Sequence, residues 1–253
     1  MSKGSVTLTT NKNGVATIEF YHPMSNSLPG AILSQLAQTI THAGNDENIR
    51  VILLKSSGDR TFCAGASFEE LSNIKDYKQG KKFFMGFANV INSARKCPKL
   101  IIGRVQGKAV GGGVGMASAV DYCVATRYAS VKLSELALGI GPFVVGPAVE
   151  RKIGTSSMST MAINATKWYS AEWAKTKGLY AEVFENASEM DKHINELSLK
   201  LANSNPDATK ALKETFWEGT ESWDELLDKR AAISGKLILS TYSSNAINAI
   251  KNK

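Results

Sequence analysis

The sequence predicts an α/β core followed by a helical C-terminal part. Three observations lead there. Short apolar runs at residues 51–54, 100–102 and 122–125 have the length and composition of buried strands, and helical patterns separate them. Strand, helix, strand in that order calls for right-handed crossovers and a sheet covered by helices. From about Met158 onward the pattern turns almost wholly helical.

The elements follow in order. Residues 6–10 and 15–20 alternate around Asn13-Gly14, a hairpin signal. Across residues 28–43, Ile32, Leu33, Leu36, Ala37 and Ile40 recur at helical spacing. The strand at 51–54 ends at Ser56-Ser57-Gly58. Residues 83–94 predict a helix that Cys97-Pro98 stops. The strand at 100–102 runs into a glycine cluster, residues 114–120 predict a helix packed on small residues, and 122–125 is the third strand. Farther on, 197–201, 211–216 and 226–239 are amphipathic, and Asn205-Pro206-Asp207 is a helix break and restart. Trp217 and Trp223 suit this helical appendage to packing on its own core or on a neighbouring subunit. The division expected is a core over residues 1–195 and a helical region over 196–253.

Composition narrows the function. Hydrophobic content of 43% and charged content of 21% suit a globular chain with one large core. No stretch approaches the ~18 apolar residues of a membrane span. The start Met1-Ser2-Lys3-Gly4 has no apolar signal region, so a cytoplasmic protein is expected. Cys63, Cys97 and Cys123 are widely spaced and expected to be reduced and mostly buried. Three histidines without ligand spacing predict no metal site. The net charge of +7 comes from scattered lysines and arginines with no nucleic-acid motif. The densest stretch, from Lys75 to Lys99, is either a solvated helix face or an attraction for a phosphate-bearing small ligand.

Two glycine-bearing loops carry the chemistry. The first is Thr61-Phe62-Cys63-Ala64-Gly65-Ala66-Ser67-Phe68, and the second is Gly107-Lys108-Ala109-Val110-Gly111-Gly112-Gly113-Val114-Gly115. Each follows a buried strand and leads into a helix. Glycine lets a ligand approach the backbone, and a helix start adds unpaired N–H donors and partial positive charge. Two such loops facing one another would direct two N–H groups at one developing negative oxygen, as an oxyanion hole does. The second loop lacks the third glycine of a dinucleotide fingerprint, and no Gly-Lys-Ser/Thr follows it. Close helix–strand packing would by itself account for its glycines.

Together, in order, the motifs resemble the crotonase superfamily (the enoyl-CoA hydratase/isomerase family). Phe62-Cys63-Ala64-Gly65-Ala66-Ser67-Phe68 is similar to its first loop, and residues 98–113 to its central segment. Val120-Asp121-Tyr122-Cys123-Val124-Ala125 and Ser134-Glu135-Leu136-Ala137-Leu138-Gly139-Ile140-Gly141-Pro142 match the segments after it. Ala165-Thr166 through Ser170-Ala171-Glu172-Trp173-Ala174 to Gly178-Leu179 resembles a later one. The likeness runs from Val6 to about Phe184, more loosely beyond, and implies a crotonase-like spiral of ββα repeats with a helical C-terminal region.

The resemblance implies site residues. The backbone N–H groups of Ala66 and Gly112 would hold the thioester oxygen of an acyl-CoA and stabilise its enolate. Ala64 would contact the adenine. Met24 and Ser25, in the turn His22-Pro23-Met24-Ser25-Asn26-Ser27-Leu28, would lie near the CoA phosphates. The family's basic residue is missing from that turn, which leaves His22, Lys210 or Lys213 to supply the cation. Ser67, Phe68, Gly111, Gly115, Pro142 and Phe143 would line the substrate site, with the stretch from Phe143 shaping an apolar acyl pocket. No cofactor is implied beyond the coenzyme A of the substrate.

The acid–base residues depart from the family pattern. Hydratases of the family carry two glutamates. Here Gly115 stands at the first position, and only the second is kept, as Glu135. One carboxylate suffices to move a proton between two carbons, so double-bond isomerisation suits this chain best. Leu133, Leu136, Leu138, Ile140 and Phe143 are expected to surround Glu135 and raise its pKa. Ser67, where the family often has Asp, is expected to cap a helix carrying Glu69 and Glu70 in its first turn. Asp121 falls at a position expected to be structural. Hydration is the alternative, with Glu69 or Glu70 positioning water. Acyl-thioester decarboxylation is a third possibility, and a non-catalytic acyl-CoA-binding protein belongs to a different class. The family further implies a homotrimer or a dimer of trimers.

Overall fold

A computed structural model describes residues 4–251. The hairpin forms as expected: β1 (Ser5–Thr10) pairs antiparallel with β2 (Val15–Tyr21), Ser5 opposite Tyr21. Next come β3 (Ser27–Leu28), α1 (Gly30–Asn45), β4 (Val51–Ser56), β5 (Thr61–Cys63), β6 (Gly65–Ala66), α2 (Phe68–Ser72) and α3 (Tyr77–Lys96). The middle of the chain holds β7 (Leu100–Val105), β8 (Lys108–Val110), α4 (Gly112–Ala119), β9 (Tyr122–Thr126) and β10 (Val131–Lys132). A short 3-10 helix (Glu135–Leu138), α5 (Gly146–Ile163), α6 (Ala171–Thr176), β11 (Glu182–Phe184) and α7 (Ala187–Ala202) follow. The chain ends in α8 (Pro206–Phe216), α9 (Trp223–Leu237) and α10 (Thr241–Lys251).

The ββα repeat is visible in the strand order. The main sheet runs β1-β2-β4-β7-β9-β11 and a second sheet runs β10-β8-β5. The units that begin at β4, β7 and β9 each give one strand to the main sheet, the next to the small sheet, and then a helix, whereas β3 after β2 pairs with β6 in a two-stranded sheet. All main-sheet pairs from β2 to β11 are parallel. Such a sheet is buried on both faces. One face carries the large core under α1, α3 and α4. On the other, Met190 and Ile194 of α7 pack on Val15, Val51, Ile102 and Val124.

Several expectations shift. The helix expected over 83–94 begins at Tyr77, because Asp76 caps it, accepting from Gln79 N at 2.8 Å. Its polar first turns hid it. Leu28 belongs to β3, and α1 starts only after Pro29. The expected wholly helical run after Met158 contains β11, whose three residues carry no measurable period. The boundary placed at 195 falls inside α7, which covers the sheet, so the separate helical region begins at Pro206. There Asn205 caps α8, accepting from Asp207 N at 2.9 Å.

The basic stretch docks α3 on α9. Lys81 pairs with Asp228 at 2.7 Å, and Arg95 and Lys96 both reach Asp224. Arg95 is buried in this helix–helix contact, whereas Lys96 keeps to the solvated helix face. The helices cross where a Cβ on Gly80 would stand 2.8 Å from Gly235 O. Trp217 and Trp223 meet edge to face at 5.9 Å within the chain's own core. The three cysteines are free and buried, and burial pushes Cys63 and Cys123 up to about 12.

Candidate active site

The second loop leaves β8 and turns at Gly111, whose φ of 52° and ψ of −112° suit only glycine. Gly111 N donates to Lys132 O at 2.9 Å, tying the loop to β10. Gly112 is the first residue of α4, so its N–H is one of those a helix leaves without an intrahelical acceptor. A Cβ on Gly112 would fall 2.3 Å from the Phe87 ring. That ring therefore lies directly over the backbone and keeps one side of it dry.

The first loop lies opposite. Leu28 pairs with Ala66, and Ser27 Oγ donates to Ala66 O at 2.8 Å. A Cβ on Gly65 (φ 95°) would stand 3.2 Å from Val110 O and 3.9 Å from Gly112 N. The two glycine loops thus meet, with Ala66 and Gly112 both lining the cavity between them. Ser67 caps α2, accepting from Glu70 N at 3.3 Å. Glu70 Oε2 accepts from Gly30 N at 2.8 Å, which commits this carboxylate to the start of α1 rather than to a water in the site.

The turn before β3 is organised by Asn26. Its side chain accepts from His22 N at 2.8 Å and donates to Ser57 O and Thr61 O, each at 3.0 Å. Those bonds hold Ser25 and Asn26 at a φ of 54°.

Glu135 opens the 3-10 helix, which Gly139 ends at a φ of 76°. Its carboxyl lies against Gly111, where a Cβ would be 2.8 Å from Oε1. Oε2 is buried without a hydrogen-bond partner. The residue as a whole is half-buried, with Oε2 shut off from solvent. That burial raises its pKa to about 7, against a weaker lowering pull from the backbone amides of Glu135 and Ser134. The apolar surround differs in one member from that expected: Leu133 and Ile140 are buried, whereas Leu136 is 48% exposed and turns outward.

A cavity of about 1360 Å³ joins these parts. Ala64, Ala66, Gly111, Gly112 and Glu135 line it, as do Met24, Ser67, Phe68, Pro142 and Phe143. Two expected residues do not. Ser25 lies outside the lining, and Gly115 is sealed off because a Cβ there would stand 2.5 Å from Val145 Cγ1. Val145 fills the space into which a side chain at 115 would project.

The model of one protein family, described as enoyl-CoA hydratase/isomerase, matches residues 10–248. The chain belongs to the enoyl-CoA hydratase/isomerase family. A Bacillus subtilis (strain 168) protein named a probable enoyl-CoA hydratase is 26% identical over 94% of this chain and 93% of its own. The carnitinyl-CoA dehydratase of Escherichia coli (strain K12) is 28% identical over 82% and 78%. A crystal structure of an enoyl-CoA hydratase from Bacillus halodurans superposes with a TM-score of 0.88 at 21% identity, covering 96% of this chain and 99% of that one.

Within this hydratase/isomerase, sequence reasoning missed the phenylalanines of α3. Phe83, Phe84 and Phe87 all line the cavity, and their spacing just ahead of a glycine loop was the available signal. Among the cations proposed for the phosphates, Lys213 is excluded. It is buried and held by Asp121 at 2.7 Å and by Ala94 O at 2.8 Å. Lys210 is exposed and does not line the cavity. His22 does line it, with Nδ1 buried and unpartnered, and so does Lys132, whose Nζ lies 4.5 Å over the Trp168 ring. Asp121 is structural as expected, also accepting from Ile101 N at 2.7 Å and Trp217 Nε1 at 2.8 Å. Among the described residues no cluster of three His, Cys, Asp or Glu could hold a metal, and no helix is long and apolar enough to cross a membrane.

Proposed function

We propose that this enzyme isomerises the double bond of an enoyl-CoA with Glu135 as its single proton carrier. The thioester oxygen would accept from Ala66 N–H and Gly112 N–H. Glu135 would take a proton from the α-carbon of a β,γ-unsaturated thioester, leaving a dienolate held in that hole, and return it at the γ-carbon. One observation supports this above the rest. Glu135 has the only buried carboxyl lining the cavity among the described residues, and Val145 occupies the space beside Gly115. A proton shuttle between two carbons needs one base and no fixed water. The reaction draws on no cofactor beyond the coenzyme A carried by the substrate.

Hydration is the second reading, because exposed Glu69 lines the same cavity and relatives carry hydratase and dehydratase names. The test is incubation of a β,γ-enoyl-CoA in deuterated water. Isomerisation converts it to the α,β-enoyl product, which carries γ-deuterium to the extent that the Glu135 carboxyl exchanges with solvent before returning the proton, and Glu135→Gln abolishes the conversion. Accumulation of β-hydroxyacyl-CoA without γ-deuteration would replace this reading with hydration. Release of carbon dioxide from a carboxylated thioester would point to decarboxylation.

We further propose a homotrimer in the cytoplasm, singly or as a dimer of trimers. Leu212, Phe216, Ile233, Leu237 and Leu239 leave apolar surface exposed on and just after α8 and α9, which suits a subunit contact. Light scattering on the eluted protein gives the mass that decides it.

A further inference from the structure

We propose that Lys132, with Lys108 beside it, binds a carboxylate at the far end of the acyl group, and that the enzyme takes thioesters of short dicarboxylic acids. The inference rests on the acyl-CoA reading above, which fixes where the acyl group must run. With the thioester oxygen between Ala66 and Gly112, Glu135 has to reach the α- and γ-carbons. The acyl group therefore passes along the segment made by β10 and the 3-10 helix, and the coenzyme A arm leaves the other way. Lys132 stands on that segment. Its carbonyl accepts from Gly111 N at 2.9 Å, and the same glycine lies against the Glu135 carboxyl. Val131 and Lys132 pair with Ala109 and Val110. Val131 and Ala109 are buried, whereas Val110 and Lys132 line the cavity, with Lys108 on their side of the strand.

The Lys132 ammonium stands off the proton carrier. Burial and the backbone amides of Glu135 and Ser134 set the state of that carboxyl, with no cation among the causes. Lys132 Nζ lies instead 4.5 Å over the Trp168 ring, and Lys108 Nζ lies 5.2 Å from the same centroid. Val131 and Tyr169 exchange two backbone hydrogen bonds of 2.9 Å, which fix Trp168 beside Lys132. Ala165 and Thr166 line the cavity, so the ring stands at its edge, 40% exposed. Two ammonium groups within about 10 Å of one another repel. Among the described residues neither forms an ion pair, whereas Lys81 and Lys213 each meet an aspartate. The indole face offsets part of that charge, and a carboxylate held by both lysines would neutralise the rest through charge-assisted hydrogen bonds. Because Lys132 is bonded to the residue just before Gly112, the acyl group that joins the hole to this corner is short. The apolar lysine stem and Phe143 flank its methylenes.

The experiment titrates the full-length protein with saturated thioesters, which it cannot isomerise. Pentanoyl-CoA is set against glutaryl-CoA, and hexanoyl-CoA against adipoyl-CoA. Within each pair the carbon count is equal and only the terminal carboxylate differs. Calorimetry should show the dicarboxylic member binding about 10- to 100-fold tighter, the effect of one charge-assisted contact. Lys132→Met should bring each pair to equal affinity, and Lys108→Met should narrow the gap. Lys210→Met, at an exposed lysine outside the cavity, should keep it. Equal affinity within both pairs for the wild type, or a preference that survives Lys132→Met, overturns the inference while the thioester reading stands. So does an equal weakening of CoA and all four thioesters by Lys132→Met, which would assign the cation to the coenzyme A phosphates. Failure to bind CoA and every acyl-CoA overturns both.

Discussion

Glu135 Oε1 lies so close to Gly111 that a Cβ on the glycine would stand 2.8 Å from it. The next residue, Gly112, offers the helix N-terminal N–H to the oxyanion. The proton carrier and the charge-stabilising donor of the proposed mechanism are thus set by two consecutive residues. Gly111→Ala forces the carboxyl aside and puts a side chain at a φ of 52°. We expect kcat to fall on the order of 100-fold, with a stability loss of about 1–3 kcal/mol. Steady-state kinetics with urea unfolding of the same variant separate the two effects.

Burial holds the Glu135 pKa at about 7, so the base form is the minority below that pH. As a proton acceptor it requires the carboxylate, and kcat/KM should climb as pH rises through about 7 and level off above it. A pH profile already flat from pH ~5 upward, near the ordinary glutamate range, would contradict this environment.

The same shift has a consequence for stability. The folded pKa lies above the ordinary glutamate value of 4.5, so the folded state holds its proton longer than the unfolded chain. The contribution is fully present below 4.5 and is lost as pH rises through about 7. Glu135→Gln removes that loss. Its stability relative to wild type should therefore increase by up to about 3 kcal/mol between acid and mildly alkaline pH. Thermal melts of both proteins across that range provide the comparison.

Gly115→Glu should be destabilising on its own by about 1–3 kcal/mol, because Val145 already fills the space. Val145→Gly in the same chain, which removes both atoms that crowd that position, should recover part of the loss, giving a coupling that two distant sites would not show. Only the double variant has room for a second carboxyl at the cavity, so it is the one expected to gain β-hydroxyacyl-CoA formation.

Lys213→Met leaves the buried Asp121 carboxylate with Ile101 N and Trp217 Nε1 but without its paired ammonium, since Lys152 Nζ reaches only the Asp121 backbone oxygen. Removing one partner of such a pair costs about 3–5 kcal/mol. Adding Asp121→Asn to Lys213→Met should cost less than Lys213→Met alone. Denaturant midpoints of the single and double variants measure the difference.

The hairpin, the three buried strands and the ordered motifs around Gly65 and Gly112 were legible, because apolar runs and glycine clusters leave strong local signals. The short strands β3, β5, β6, β8, β10 and β11 were not, since two or three residues carry no period. Glu135 could be named from its segment, and so could the raised pKa. Its contact with Gly111 depends on β8 and β10 lying side by side, which no local pattern states. Phe87 was missed as a site-shaping group for the same reason, and although the stretch from Phe143 was expected to shape the pocket, its contact from Val145 to Gly115 was not legible. Lys213 shows the opposite error, a surface-type residue whose partner is Asp121 in the core.

Asp121 sits between the third buried strand and its neighbours, yet Lys213 and Trp217 lie 92 and 96 residues downstream of it. A ribosome delivers the repeats first and these two side chains much later. Until they arrive, Asp121 lacks both the ammonium and the indole N–H that its carboxylate meets in the folded chain. The core around the third buried strand is thereby completed by residues made long after the strand itself.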